Sequence, residues 1–226
     1  TNEIIDHLFR QKAGQMVSLL SRIFGIDKLE LIEDAVQDAM IAAMRKWPFG
    51  VPENPSAWLI QTARNKVIDE LRRSGKSVRL ENDEDFELPD SASTPSGEQL
   101  SLIGDDELRM IFACCSPAIA ADSRVALTLK IVGGFSVAEI ARAFLANDEA
   151  IAKMLTRAKK RLREDANFPE LPPARELPER LDAVLRVLYL MFNEGFGATS
   201  GDDLVRSDLC FEAIRLAEML LGSPVT

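Results

Sequence analysis

Two adjacent glycines, followed directly by a helix-starting signal, divide residues 122–163 into three short helical pieces and leave few folds open to this part of the chain. The stretch reads DSRVALTLKIVGGFSVAEIARAFLANDEAIAKMLTRAKKRLR. Arg124 to Val132 has helical character. Gly133 and Gly134 stop it, because glycine enters the left-handed conformation without steric cost. Ser136 with Glu139 three residues later forms a capping box, which predicts a helix over 137–144 with Val137, Ile140, Ala141 and Phe144 on one face. Leu145-Ala146-Asn147 makes a tight connection, and Asn147 or Asp148 caps a further helix. In that helix Ile151, Leu155, Ala158 and Leu162 recur at spacings of four, three and four, an apolar stripe. Lys153, Arg157 and Lys160 lie off the stripe, flanked by Lys159, Arg161 and Arg163. Two short helices, a three-residue turn and a helix with a basic outer face are the parts of a helix-turn-helix, whose last helix enters a DNA major groove. A solvated basic helix at the end of a bundle has the same charge pattern, since cations also suit a helix C-terminus.

Composition fits an all-α chain. Of 226 residues, 46% are hydrophobic, enough for real cores, and alternating Val/Ile/Thr runs are missing. No apolar run reaches membrane-spanning length and no signal-peptide pattern opens the sequence, which predicts a soluble, cytoplasmic protein without membrane contact. Taken alone, the formal net charge of −9 opposes nucleic-acid binding, but the charge is segregated. Ten acids and no Lys or Arg fall between Glu81 and Glu107, whereas the flanking helices are locally basic. Cys114, Cys115 and Cys210 are too few for a disulfide framework or a zinc site, and the adjacent pair reads as small apolar side chains in a core. With His7 the sole histidine, conventional hydrolytic catalysis has no foundation; no enzyme activity, cofactor or metal is implied.

In chain order, Glu3 to Phe24 forms a helix ended by Gly25. Asp27 caps a second helix running to Trp47, with Leu29, Ile32, Val36, Met40, Ala43 and Trp47 inward and Glu30, Glu33, Asp34, Gln37 and Asp38 projecting the other way. Pro55 opens a third helix to about Ser74, in which Trp58, Leu59, Ala63, Val67 and Leu71 form the stripe. Arg64, Asn65, Lys66, Arg72 and Arg73 lie largely off it. Residues 77–104, acidic and rich in Ser, Pro and Gly, read as a flexible linker, either a solubilising spacer or a polyanion that competes with phosphate for basic surfaces. A helix beginning at Asp105 or Asp106 carries Leu108, Ile111, Phe112 and Cys115. After a proline-rich junction, residues 178–192 are apolar nearly all round, which predicts burial from several sides. A last helix over 204–221 follows, capped by Asp202 or Asp203, for which no metal-ligand spacing exists.

With these pieces in place, the chain resembles a bacterial RNA polymerase sigma factor of the extracytoplasmic-function type. EDAVQDAMIAAMRKW resembles the helix by which such factors grip the clamp helices of the polymerase β′ subunit, NPSAWLIQTARNKVIDELRR the adjoining promoter-melting helix, and GFSVAEIARAFLANDEAIAKMLTRAKKRLR the reader of the upstream element. IFACCSPAIAADSRVALTLKIVGG and RLDAVLRVLYLMFNEGFGATSGDDLVRSDLCFEAIRLAEMLL resemble a narrower group that continues into a helical domain with tetratricopeptide-like repeats, and the end of this sequence falls where those repeats would begin. The resemblance implies a region 2-like three-helix bundle over 1–76, the acidic linker over 77–104, a region 4-like helix-turn-helix domain over 105–166 and a C-terminal helical extension over 167–226.

The resemblance also assigns roles. Asp34, Gln37 and Asp38 match core-polymerase-binding positions, their acidity answering a basic clamp surface. Arg64, Asn65, Lys66, Asp69 and Arg72 match positions near the −10 element, and the loop over 49–55 matches the pocket for an extruded base. Ala152, Lys153, Thr156 and Arg157 fall at the groove-facing positions for the −35 element, with Lys160 on phosphate. Glu149-Ala150 and Ala152-Lys153 stand where the family often has Gly-Thr and Arg-Ser, which leaves the base sequence open. Implied partners are core RNA polymerase, promoter DNA and an anti-sigma or other regulatory protein. Two other classes fit parts of the same sequence: an operator-binding regulator that never touches polymerase, and a helical interaction scaffold, which leaves the basic faces without a role.

Overall fold

The computed structural model describes residues 2–74, 97–164, 177–196 and 207–222, with side chains for 12–74, 106–164, 178–193 and 210–222. All regular structure among them is helical: α1 (Asn2–Phe24), α2 (Leu29–Lys46), α3 (Pro55–Arg73), α4 (Gly97–Cys114), α5 (Ala121–Ile131), α6 (Val137–Ala143), α7 (Asp148–Glu164), α8 (Leu177–Phe196) and α9 (Ser207–Leu221). The acidic run over 81–90, His7 and Asp202/Asp203 fall outside the described side chains.

The first three helices pack as a bundle. Leu29, Ile32, Val36 and Ala43 of α2 and Leu59, Ala63, Val67 and Leu71 of α3 are buried as their periodicity requires. Asn54 caps α3, its Oδ1 accepting from Ala57 N–H at 3.0 Å, and Pro55 fills the first position, where a missing N–H costs nothing. Asp27 does not cap α2. The chain makes a 3-10 turn over Ile26–Lys28 first, α2 starts without a side-chain cap, and the Asp27 carboxylate pairs with neighbouring Lys28.

The helix-turn-helix follows the sequence closely. In the capping box Ser136 Oγ accepts from Glu139 N–H at 3.2 Å, and Ser136 N–H donates to Glu139 Oε2 at 2.8 Å. The two glycines divide the work. Gly134 alone is left-handed, at φ 68, while a Cβ on Gly133 would lie 2.9 Å from both the Leu129 carbonyl and the Phe135 ring. α6 ends in a Schellman arrangement: Ala146 N–H reaches the Ala141 carbonyl at 2.9 Å and Leu145 N–H reaches that of Arg142 at 3.4 Å. Leu145 therefore takes the left-handed position usually given to glycine, at φ 49. Asn147 caps α7, accepting from Ala150 N–H at 2.7 Å. The α7 stripe of Ile151, Leu155, Ala158 and Leu162 is buried, as expected.

Two expectations are corrected. α4 begins at Gly97, well before the Asp105/Asp106 start. Asp106 and Glu107, the last acids of the run that begins at Glu81, are among the most buried polar side chains, at 2% and 1% exposure. Asp106 pairs with Arg22 of α1 at 2.8 Å and with Arg109 at 3.1 Å. Glu107 pairs with Arg215 of α9 at 3.1 Å, and the same guanidinium holds Glu212 at 2.7 Å. Burial pushes both the Asp106 and Glu107 carboxyls above their ordinary values, against the pull of these arginines. Finally, α8 is not covered on all sides. Val184, Val187, Leu188 and Met191 face α9, α4 and α5, whereas Leu185, Tyr189, Leu190 and Phe192 are exposed.

One hydrophobic core runs through all described modules, from Met16 to Leu220. α1 packs on both α2 and α4, so the first bundle and the helix-turn-helix module share α1 as a wall. Cys114 and Cys115 are fully buried there. Burial lifts the Cys114 thiol well above its usual value and Cys115 to about 12, so both are inert apolar fillers at neutral pH.

Candidate nucleic-acid interface

Burial of the α7 stripe fixes what the opposite side of that helix presents. Ala152, Lys153, Thr156, Arg157 and Lys160 are all exposed. Lys153 is held by Glu149 at 2.6 Å, both ends in water, a bond worth about 0–1 kcal/mol that phosphate or a guanine edge can replace. Thr156 Oγ1 donates back to the Ala152 carbonyl at 2.8 Å. Lys160 approaches Glu164 at only 3.9 Å, and Arg157 has no ion pair among the described residues. α8 and α9 seat on α4 and α5, leaving this face open.

Lys159 and Arg163, which in sequence merely flank the basic face, turn away from it. Lys159 binds Glu33 of α2 at 2.6 Å with both side chains largely buried, and Arg163 binds Glu30 at 3.0 Å. Sequence reasoning missed these two pairs. Their acids and bases lie on different helices, and helical spacing carries no signal across elements.

On α2, Asp34, Gln37 and Asp38 are exposed along one face. On α3, Asn65, Asp69 and Arg72 are exposed and Arg64 and Lys66 half-buried. The structure brings the two groups together at one point, where Lys66 donates to Asp38 at 2.9 Å. Asn65 Oδ1 accepts from Gln61 at 2.9 Å. At the end of α2, a 3-10 turn over Trp47–Phe49 leads into the 49–55 loop. There Trp47 and Trp58 meet edge-to-face with centroids 5.9 Å apart, and the Lys46 ammonium sits 5.7 Å over the Trp58 ring. Phe49, two residues beyond Trp47, is 93% exposed.

No group of His, Cys, Asp or Glu among the described residues is arranged to hold a metal, and no described helix is long and apolar enough to cross a membrane.

A helix-turn-helix with an open cationic face, beside a second helical module carrying basic and aromatic side chains at its surface, has the geometry and charge of a DNA-binding module. Comparison with protein families is more specific: residues 8–77 match Sigma-70 region 2, residues 109–162 match Sigma-70, region 4, and residues 180–226 match a family of unknown function, DUF6596. Region 2 followed by region 4 is the domain order of sigma-70-family proteins, which are transcription initiation factors. Among curated proteins, the uncharacterized protein R00370 of Rhizobium meliloti (strain 1021) is 42% identical over 211 residues, covering 92% of this chain. The chain spans about half the length of that relative, 49%. No solved structure is significantly similar.

Proposed function

We propose that the chain binds core RNA polymerase through the Asp34, Gln37 and Asp38 face of α2, opens the −10 region through α3 and the 49–55 loop, and reads the −35 element through α7, so starting transcription at chosen promoters. The observation that carries this reading is the exposure of the whole α7 set, Ala152 to Lys160, in a chain that also displays the acidic α2 face next to the basic α3 face. Arg64, Lys66 and Arg72 would follow the phosphates of the melted strand, while Phe49 would stack on an extruded base. Residues 1–76 would act as the polymerase-binding and melting domain, residues 77–96 as linker and the module from α4 to α7 as upstream reader. Residues 167–226 would begin a regulatory helical-repeat domain of tetratricopeptide-like type, with an anti-sigma or other regulatory protein as a further partner. The protein would act in the cytoplasm.

The test is reconstitution. Chain plus core polymerase, presented with a library of promoter fragments, is expected to start transcripts downstream of a shared two-part sequence; a folded chain that never binds core overturns the proposal. Asp34→Arg places a cation on the polymerase-facing side without touching the Asp38–Lys66 pair. It is expected to weaken core binding at least about tenfold, while binding of upstream duplex by the free protein stays unchanged. Arg157→Ala tests the reading helix. It should cost about 1–3 kcal/mol on the preferred upstream duplex and flatten preference at one base position, as read by competition binding at fixed salt.

A further inference from the structure

Leu145, in the turn between α6 and α7, stands where a leucine is strained. Its φ of 49 lies in the left-handed region, where the Cβ of an L-residue crowds the following carbonyl and where helix ends usually place glycine. Among the described non-glycine residues it alone has a positive φ. No burial offsets this strain. The side chain is 84% exposed, and among the described residues of α4 to α7 no other large apolar side chain is left in water. Glycine would close the same turn without strain, so the reason for a leucine here lies outside the folded chain.

The place of the turn decides what that reason is. α7 starts three residues on, at Asp148, and every residue from Leu145 to Ala150 is exposed, so the turn and the start of α7 form one uncovered end. In a helix-turn-helix the N-terminal part of the second helix meets base edges. Asp148 and Glu149 lie in that first turn, and their charge opposes a phosphate there, which favours the groove floor over the strand backbone for this end. In the major groove an apolar side chain has one apolar partner, the 5-methyl of thymine. A protein partner fits less well. Protein interfaces have an apolar centre built from several side chains, whereas Leu145 stands alone, and one methyl needs only one side chain.

We infer that Leu145 is a specificity residue of the upstream reader, packing its side chain on the 5-methyl of a thymine at the edge of the site that Lys153 and Arg157 read. The inference rests on the proposed function. It adds to the polar set on α7 an apolar contact from outside that helix, and it gives a role to a leucine at a position that backbone geometry alone assigns to glycine.

The experiment uses the full chain with Leu145→Gly, which removes the side chain and the strain together. Its melting temperature is expected to rise by about 2–4 °C, so that a loss of binding cannot come from misfolding. Duplexes are selected from a random upstream library by the wild-type and by the variant chain. The variant is expected to lose preference at one position where wild type takes thymine, and to keep it at the positions read by Lys153 and Arg157. Deoxyuridine in place of thymidine at that position removes the methyl alone. In competition at fixed salt it is expected to weaken wild-type binding about three- to fivefold and to leave binding by the variant unchanged. Leu145→Ala, which keeps the strained backbone, is expected to lose the same preference without the rise in melting temperature. Unchanged preference in Leu145→Gly, an equal effect of deoxyuridine on both proteins, or a variant that melts below wild type overturns the inference. So does a variant that keeps its duplex preference but binds core polymerase more weakly, which would assign Leu145 to a protein contact. A wild-type chain that selects no sequence overturns instead the upstream-reader function, and the inference with it.

Discussion

Arg215→Ala is expected to lower the stability of the chain by about 3–5 kcal/mol, because it leaves two buried carboxylates facing each other without a cation. Glu107 and Glu212 are 1% and 4% exposed, and both depend on this one guanidinium. For a chain of this size the melting temperature should fall by roughly 6–20 °C. The same pair of acids holds the Arg215 guanidinium above its ordinary value despite burial, which acts the other way. Acid should relieve the defect. Burial already raises the Glu107 carboxyl above its ordinary 4.5, so the folded form takes up a proton more readily than the unfolded chain. The stabilisation from that proton is full below the unfolded value and is lost as pH rises through the folded one. Loss of Arg215 lifts the folded value further. The gap between variant and wild type in thermal melts should therefore narrow as pH is lowered from about 7 toward about 5. Replacing the whole group, Arg215→Met with Glu107→Gln and Glu212→Gln, is expected to recover most of the stability, since paired removal leaves no orphaned charge. A single variant that melts like wild type at neutral pH would show that α9 is not seated on α4 in solution.

Where the chain uses one helix's own periodicity, the sequence is enough to place its residues. The α7 stripe, the capping box at Ser136 and the inward faces of α2 and α3 are local patterns whose spacing fixes which side is buried, and all are found as expected. The exposed reading set from Ala152 to Lys160 is legible for the same reason, being the complement of that stripe. Tertiary pairing is different. The burial of Asp106 and Glu107 has no local signature, because cations that hold them come from other helices: Arg22 is 84 residues from Asp106 and Arg215 is 108 from Glu107. Lys159 and Arg163 share the composition of the DNA-facing cations and differ only in what lies opposite. α8 misleads in the other direction. An all-round apolar pattern states that a helix can be covered on every side, but coverage depends on how many partners pack against it, and here Leu185, Tyr189 and Phe192 remain exposed.

The closeness of the two modules has a sharp test at Gly14, in the middle of α1. Exchanging glycine for alanine inside an ordinary helix stabilises by about 0.5–1 kcal/mol, because alanine has less backbone freedom to lose. Here the opposite sign is expected. A Cβ at position 14 would lie 1.8 Å from the Val132 carbonyl oxygen and 2.7 Å from its carbon, both backbone atoms at the end of α5. A flexible side chain would swing away, but backbone at a packed helix end moves only with its neighbours, so α1 and α5 must part by about 1.5 Å or more to restore ordinary contact. Overpacking of this kind costs about 1–3 kcal/mol, or roughly 2–12 °C in melting temperature. The strain acts on the wall that joins the bundle to the helix-turn-helix module. A Gly14→Ala variant that melts higher than wild type would mean that α1 and α5 do not approach this closely in solution, and the joined arrangement of the two modules would lose its best-defined contact.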